Sequence, residues 1–285
     1  MNAAHEPVKA RPPTQGAIRI EDVVKVYDPD GAAVMAVDHC SLDIAGGEIC
    51  MIVGPSGCGK TTLLNAIAGF HSITSGKIYL DGVLLCGDTK PMADPGPDRI
   101  VVFQNGALFP WKTNLDNVAF GAIMQGKLSK KEAYEKARSM MADAGLSGSE
   151  HNFPGEVSSG LRRRVEIVRA LMNEPKVLLF DEPYRALDSL TKSVMHEALL
   201  EIYYKNKVTI FFITHDLEEA IFLGHRLVIM TSRPCKPKLM LDVDIPHPRD
   251  YSVLTTQKFR DLVDQTFDAV HEEAKKSFEA GEKEG

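Results

Sequence analysis

Two patterns of apolar and polar positions run along the chain, and they predict two kinds of strand. Ile18–Tyr27 is rich in Ile and Val, and Val34–Ile44 alternates apolar with polar residues, as strands with one face in water do. Asp28-Pro29-Asp30-Gly31 between them predicts a turn, because Pro fixes φ and Gly admits φ > 0. Glu48–Val53, Ile100–Gln104, Val177–Phe180 and Val208–Ile213 are short and almost wholly apolar, which predicts strands covered on both faces. Helical spacing marks Lys60–Phe70, Ser129–Ala144, Leu161–Met172, Leu187–Tyr204 and Leu217–Leu223. Ser129 and Glu132 stand in capping-box spacing, and Ser158 leads into the third of these helices, which Pro175 stops. Lys77–Leu85 reads as a hairpin strand, Thr89–Asp98 as a Pro-rich loop and Leu108–Phe120 as a loop region. Buried strands alternating with helices predict a parallel sheet flanked by helices, with a smaller antiparallel sheet beside it.

Composition narrows the class. Of 285 residues, 44% are hydrophobic and 25% charged, ordinary for a soluble globular chain and unlike a disordered one. A net charge of −6 argues against a nucleic-acid binder working by bulk charge. The strongly apolar runs are too short to span a bilayer. Cys40, Cys50, Cys58, Cys86 and Cys235 have no paired spacing, so they read as reduced thiols of a cytosolic protein. Residues 1–16 are polar and Pro-rich and read as a disordered tail.

Gly54-Pro55-Ser56-Gly57-Cys58-Gly59-Lys60-Thr61 fits G-x-x-x-x-G-K-[ST], with a buried strand before it and a helix after. Glycines let backbone N–H groups curl round phosphate oxygens, and the helix N-terminus adds partial positive charge. Lys60 would reach the β- and γ-phosphates and Thr61 would offer its hydroxyl to Mg2+. Val177–Phe180 then ends in Asp181-Glu182. Asp181 would hold Mg2+ and Glu182 would orient or deprotonate the attacking water.

With these motifs placed, the chain from about Ile18 to Arg249 resembles the ATP-binding subunit of ABC transporters, closest to the nitrate/sulfonate/taurine importer family. Tyr27 matches the aromatic residue that stacks on adenine, and Gln104 the Q-loop glutamine, a catalytic and metal-binding position. Ser158-Ser159-Gly160-Leu161-Arg162 stands at the family's signature, Ala186-Leu187-Asp188 at the D-loop and His215 at the switch histidine. Phe109-Pro110-Trp111 with Asn117-Val118, and Ser232-Arg233-Pro234, match the narrower importer group.

The resemblance implies an α/β P-loop NTPase: a RecA-like parallel sheet flanked by helices, an antiparallel β subdomain and an α-helical signature subdomain. It implies an ABC domain over 17–249, its helical subdomain about 105–172, and a C-terminal helical extension over 250–285. ATP and Mg2+ follow as cofactors. Gly54–Thr61, Thr62, Tyr27, Ser158, Ser159, Gly160 and Asp188 would bind ATP, Glu182, His215 and Gln104 would serve catalysis, and Thr61, Gln104 and Asp181 the metal.

The implied partners are a second copy in an ATP-sandwich dimer and permease subunits docking near Gln104 and Leu108–Phe120. A solute-binding protein would act indirectly, and nucleic acid is not expected. The implied place is peripheral, on the cytoplasmic face of the inner membrane. A non-transport ABC ATPase is the alternative; a small-molecule kinase or GTPase would need neither the signature nor the Gln104–His215 pair.

Three departures stand out. Ser159 replaces the first signature glycine, where a Cβ restricts the backbone and strain is expected if φ > 0 is required. Arg163 stands where Gln is usual and reads as a solvated helix face. Arg185 stands where Ser or Gly is usual. Finally, Phe259, Leu262, Val263, Phe267, Val270 and Phe278 mark one face of a helix from about Thr256 to Glu279, with Glu272, Glu273, Lys275 and Lys276 on the other.

Overall fold

A computed structural model describes residues 15–281; the expected tail over 1–16 lies outside that range except for Gln15 and Gly16. Strands β1 (Ile18–Tyr27) and β2 (Val34–Ile44) pair antiparallel, and β3 (Ile49–Val53) enters the phosphate-loop segment ahead of α1 (Lys60–Ala68). The stretch read as one hairpin strand is two, β4 (Ser75–Leu80) and β5 (Val83–Cys86). Asp81 and Gly82 join them at φ 51° and 77°, the turn that a two-residue hairpin requires. Then come β6 (Arg99–Val102), α2 (Asn114–Met124), α3 (Lys130–Asp143), α4 (Ser159–Leu171), β7 (Val177–Asp181), α5 (Ser189–Asn206), β8 (Thr209–Ile213) and α6 (Leu217–Leu223). Strands β9 (Arg226–Met230) and β10 (Pro237–Asp242) and helix α7 (Gln257–Gly281) close the chain.

The four-stranded sheet runs β2-β1-β4-β5 and the six-stranded sheet β10-β9-β3-β8-β7-β6. The latter is parallel from β9 to β6, and β10 adds antiparallel at its edge. Alternate residues of its inner strands feed two cores. Cys50, Ile52, Leu179, Phe211, Ile213 and Val228 face α1 and the antiparallel sheet. Ile49, Met51, Leu178, Phe180, Phe212 and Ile229 face α4, α5, α6 and α7. Both faces being covered explains why these strands read as continuous apolar runs. Helices α2, α3 and α4 share a third core around Leu115, Val118, Ala137, Met141 and Val165. All five cysteines are free and buried.

Three local readings are corrected. Leu108–Phe120 is helical from Asn114: Thr113 caps α2 by accepting from the Asp116 N–H at 3.1 Å, which overrides the weak propensities of Asn114, Asp116 and Asn117. Leu115 is buried there, in the core of the helical layer. On α7 the covered face is Phe259, Leu262, Val263, Thr266, Val270 and Glu273, while Phe267 and Phe278 are exposed. Glu273, expected on the outer side, is 2% exposed and accepts from the Ser232 N–H at 2.9 Å. Lys238 and Lys276 flank it at 2.9 and 2.8 Å and hold its carboxyl down to about 2 against the effect of burial.

Candidate nucleotide site

The parallel strands deliver the chemistry to one edge. Val102 pairs with Phe180, Asp181 with Ile213, and Ile52 with Ile213. The register therefore brings the ends of β3, β6, β7 and β8 level, and the phosphate loop, Gln104, Asp181-Glu182 and His215 all follow those ends. This carboxyl edge is where open α/β sheets bind ligands.

The loop between β3 and α1 is shaped by its glycines. Gly59 has φ 120°, and a Cβ there would meet the Ala36 carbonyl oxygen at 2.2 Å. Gly57 has φ 72° with open space before it. No side chain caps α1 and no acidic residue lies in its first turn, which leaves its N–H groups and dipole to an anion. Lys60 is buried and its Nζ donates to the Gly54 and Pro55 carbonyls at 2.8 and 2.7 Å. Ser56 is exposed at the loop tip, and Arg233 Nη2 reaches the Gly57 carbonyl at 3.4 Å. The Cys58 thiol faces inward, 3.8 Å from Lys60 Nζ. A hydrogen bond from Cys235 and the Lys60 charge bring it below its ordinary value against burial.

Thr61 Oγ1 donates to Asp181 Oδ1 at 3.1 Å. Burial pushes the Asp181 carboxyl above its ordinary range; the Thr61 bond opposes this and the Glu182 charge adds to it. Among the described residues no group of three or more His, Cys, Asp or Glu is placed to hold a metal ion by itself. Glu182 follows at φ 47°, a left-handed conformation that costs energy in a residue with a side chain. Its N–H donates to the Ile213 carbonyl at 3.0 Å, and its Oε1 lies 2.6 Å from His215 Nε2. Its other oxygen, Oε2, accepts from Arg185 Nη1 at 3.1 Å. Tyr27 Oη donates to Thr62 Oγ1 at 3.4 Å and pairs with His71 Nδ1 at 3.0 Å, and Lys25 Nζ sits 4.9 Å above its ring. Tyr27 thus meets Thr62 on the first turn of α1.

The signature residues pack elsewhere in the chain. Ser158 caps α4 by accepting from the Leu161 N–H at 3.3 Å. Ser159 is the first helical residue and its φ is negative, so the expected strain is absent: a helix N-terminus accepts a side chain where a left-handed turn would not. A Cβ on Gly160 would touch Thr191 at 3.0 Å, and Thr191 in turn donates to Asp188, the cap of α5, at 2.9 and 2.7 Å. These two bonds hold the Asp188 carboxyl below its ordinary value. Signature and D-loop therefore abut.

Arg163 is not a solvated face. Its guanidinium is buried and donates to the Phe103 and Gln104 carbonyls at 2.7 and 2.8 Å and to Glu166 Oε2 at 2.5 Å. Glu166 Oε1 accepts from the Ala107 N–H at 3.0 Å. The pair ties α4 to the loop that carries Gln104. Sequence reasoning missed it, yet the signal was present: Gly160, Arg163, Ile167 and Ala170 recur at the three- and four-residue spacing of one buried helix face.

Past Gln104, Asn117 is buried and its amide donates to the Phe109, Lys112 and Thr113 carbonyls at 3.1, 3.2 and 3.0 Å. This fixes a platform on which Phe109 contacts Trp111 and Phe120, with Trp111 itself 71% exposed. Among the described residues no helix is long and apolar enough to cross a membrane.

Residues 37–185 match the model of the ABC transporter family. The chain is 44% identical over 214 residues to the taurine import ATP-binding protein of Rhizobium johnstonii, covering 75% of this chain and 79% of that one. It is 38% identical over 237 residues to the nitrate import ATP-binding protein of Synechococcus elongatus, covering 82% and 84%. A solved dimeric ATP-binding cassette, in a post-hydrolysis state bound to ADP and Pi, superposes with TM-score 0.67 at 28% identity, over 80% of this chain and all of that one. A complete phosphate loop facing an Asp-Glu-His edge, in a chain so closely matched along its length, places this protein in the ABC transporter family as an ATP-binding, ATP-hydrolysing cassette.

Proposed function

We propose that this chain is the ATP-driven subunit of a membrane importer for a small solute of the nitrate, sulfonate and taurine type. It works as two copies at the cytoplasmic face of the membrane, against permease subunits that carry the solute. The observation that carries the reading is the single edge on which Lys60, Thr61, Asp181, Glu182 and His215 follow the parallel strands, with Glu182 and His215 in contact. The relatives' importer names support the solute class.

On this reading the ATP phosphates enter the loop Gly54–Thr61 and Lys60 trades two loop carbonyls for phosphate oxygens. Tyr27 stacks on the base beside Thr62. The Thr61 hydroxyl and the Asp181 carboxylate, with Gln104, are hard oxygen donors that would hold Mg2+, which would supply neutralisation of phosphate charge. Glu182 takes the proton of the attacking water or orients it, steadied by His215. Ser158, Ser159 and Gly160 close over the γ-phosphate held by the second copy, and Asp188 lies across that interface. The Gln104 loop and the Trp111 platform form the permease seat, so closure around ATP moves the membrane subunits.

Glu182→Gln tests the chemistry. It is expected to keep ATP binding and lose about 100- to 10,000-fold in turnover, trapping an ATP-bound dimer visible by size-exclusion chromatography. Lys60→Ala is expected to lose nucleotide binding itself. Near-normal turnover in Glu182→Gln overturns the assignment.

A further inference from the structure

Glu182 is held at three points. Its backbone is fixed to β8 through the Ile213 carbonyl and its Oε1 by His215. The third hold comes from its own loop: Arg185 Nη1 lies 3.1 Å from Oε2. The two ends of this ion pair differ sharply in exposure, 11% for the Glu182 side chain and 57% for Arg185. Among the described residues, Glu182 is the one hydrogen-bond partner of the Arg185 guanidinium. A largely covered carboxylate thus meets a surface guanidinium that has no second hydrogen-bond partner among the described residues.

We propose that Arg185 is a positioning residue that restrains Glu182 between turnovers, and that hydrolysis quickens when the restraint is removed. The inference rests on the reading of Glu182 as the general base. A general base must come within hydrogen-bond reach of the proton it takes, so a water that is to use Oε2 must first displace Arg185 from it. With Oε1 on His215 and Oε2 on Arg185, both oxygens are engaged before any water arrives. An ion pair with one end so exposed opens readily, and the charge of an incoming triphosphate competes for the guanidinium. Arg185 also lies between Glu182 and Asp188 in the loop read as meeting the second copy. Closure of the dimer can therefore draw Arg185 off the base, so that full turnover comes only with two copies together.

The test is ATP hydrolysis by the full chain in four forms: R185A, R185K, E182Q and E182Q/R185A. R185A is expected to raise kcat about two- to five-fold with the KM for ATP little changed, the effect of removing one solvent-screened ion pair at the base. R185K keeps the cation and is expected to return kcat towards the parent value. In single-turnover measurements, E182Q/R185A is expected to be no faster than E182Q, because Arg185 acts through the carboxylate. An R185A protein no faster than the parent, an R185K protein as fast as R185A, or an acceleration that persists in the E182Q background each overturns the proposal. Loss of turnover in E182Q beside an unchanged R185A removes the restraint and leaves the base in place. Turnover retained in E182Q removes the base and the restraint together.

Discussion

Replacing Arg163 with methionine keeps an unbranched side chain at this buried position and deletes the charge. What remains is Glu166, whose side chain is 9% exposed, without its 2.5 Å partner, and two carbonyls, of Phe103 and Gln104, without their donor. Breaking one side of a buried ion pair costs about 3–5 kcal/mol. The lower end applies here, about 3 kcal/mol, because Phe103 is exposed and Gln104 half-buried, so water can reach their carbonyls. That is a large part of the roughly 5–15 kcal/mol that holds a domain together. Glu166→Gln alone keeps an acceptor for the Ala107 N–H and leaves Arg163 on the two carbonyls, so about 1 kcal/mol is expected. The double variant Arg163→Met/Glu166→Gln buries no uncompensated charge and is expected within about 1 kcal/mol of the parent.

The coupling between the two sites is then about 3 kcal/mol, readable from urea unfolding midpoints of the full-length proteins. The pH dependence has a definite sign. Burial already raises the Glu166 carboxyl above its ordinary 4.5, and Arg163 is the largest opposing influence. An acid raised in the folded state binds its proton more tightly there than in the unfolded chain. Its ionisation therefore costs stability above pH 4.5, and the cost is recovered as pH falls through the folded value. Without Arg163 that value rises further, so the deficit of Arg163→Met is expected to shrink between pH 7 and pH 5. Additive single variants, or a deficit flat across that range, would show that the pair is not the link between α4 and the Gln104 loop.

Two further outcomes follow from the structure. Trp111→Ala removes an exposed ring from a platform held by Asn117, so folding and ATP binding are expected unchanged while assembly with the permease weakens by about 2 kcal/mol or more; a fall in the unfolding midpoint of the isolated chain would make the ring core instead. Ser159→Gly relieves no strain, since Ser159 already has a helical N-terminal backbone, and the added freedom of the unfolded chain is expected to cost about 0.5–1 kcal/mol without speeding hydrolysis; faster hydrolysis at lower ATP would show that the position needs glycine.

What could be read in the sequence was whatever a single element determines. β3, β7 and β8 announced themselves because both of their faces are covered, and the phosphate loop because its glycines and lysine serve one local geometry. What could not be read depends on a partner remote in the chain. β10 is a half-exposed edge strand that exists through its pairing with β9, and Glu273 turns inward only because Ser232, Lys238 and Lys276 surround it. Arg163 shows the limit most clearly: its helical position marks it as inward, while its charge alone points to solvent, because its partners are two carbonyls beyond β6 and remote in the chain.

The three departures from the family pattern share a property that the sequence could not reveal. Ser159 begins the helix whose next residue rests on Thr191 and so on the cap of α5; Arg163 grips the Gln104 loop; Arg185 grips Glu182. None of them replaces Lys60, Thr61 or Asp181. Each sits at a joint between two motifs, where a change alters how one moves with the other. A cassette altered at its joints is expected to bind ATP as its relatives do and to differ in how tightly hydrolysis waits for closure. That places the distinguishing measurement in the ratio of coupled to uncoupled turnover rather than in the affinity for nucleotide.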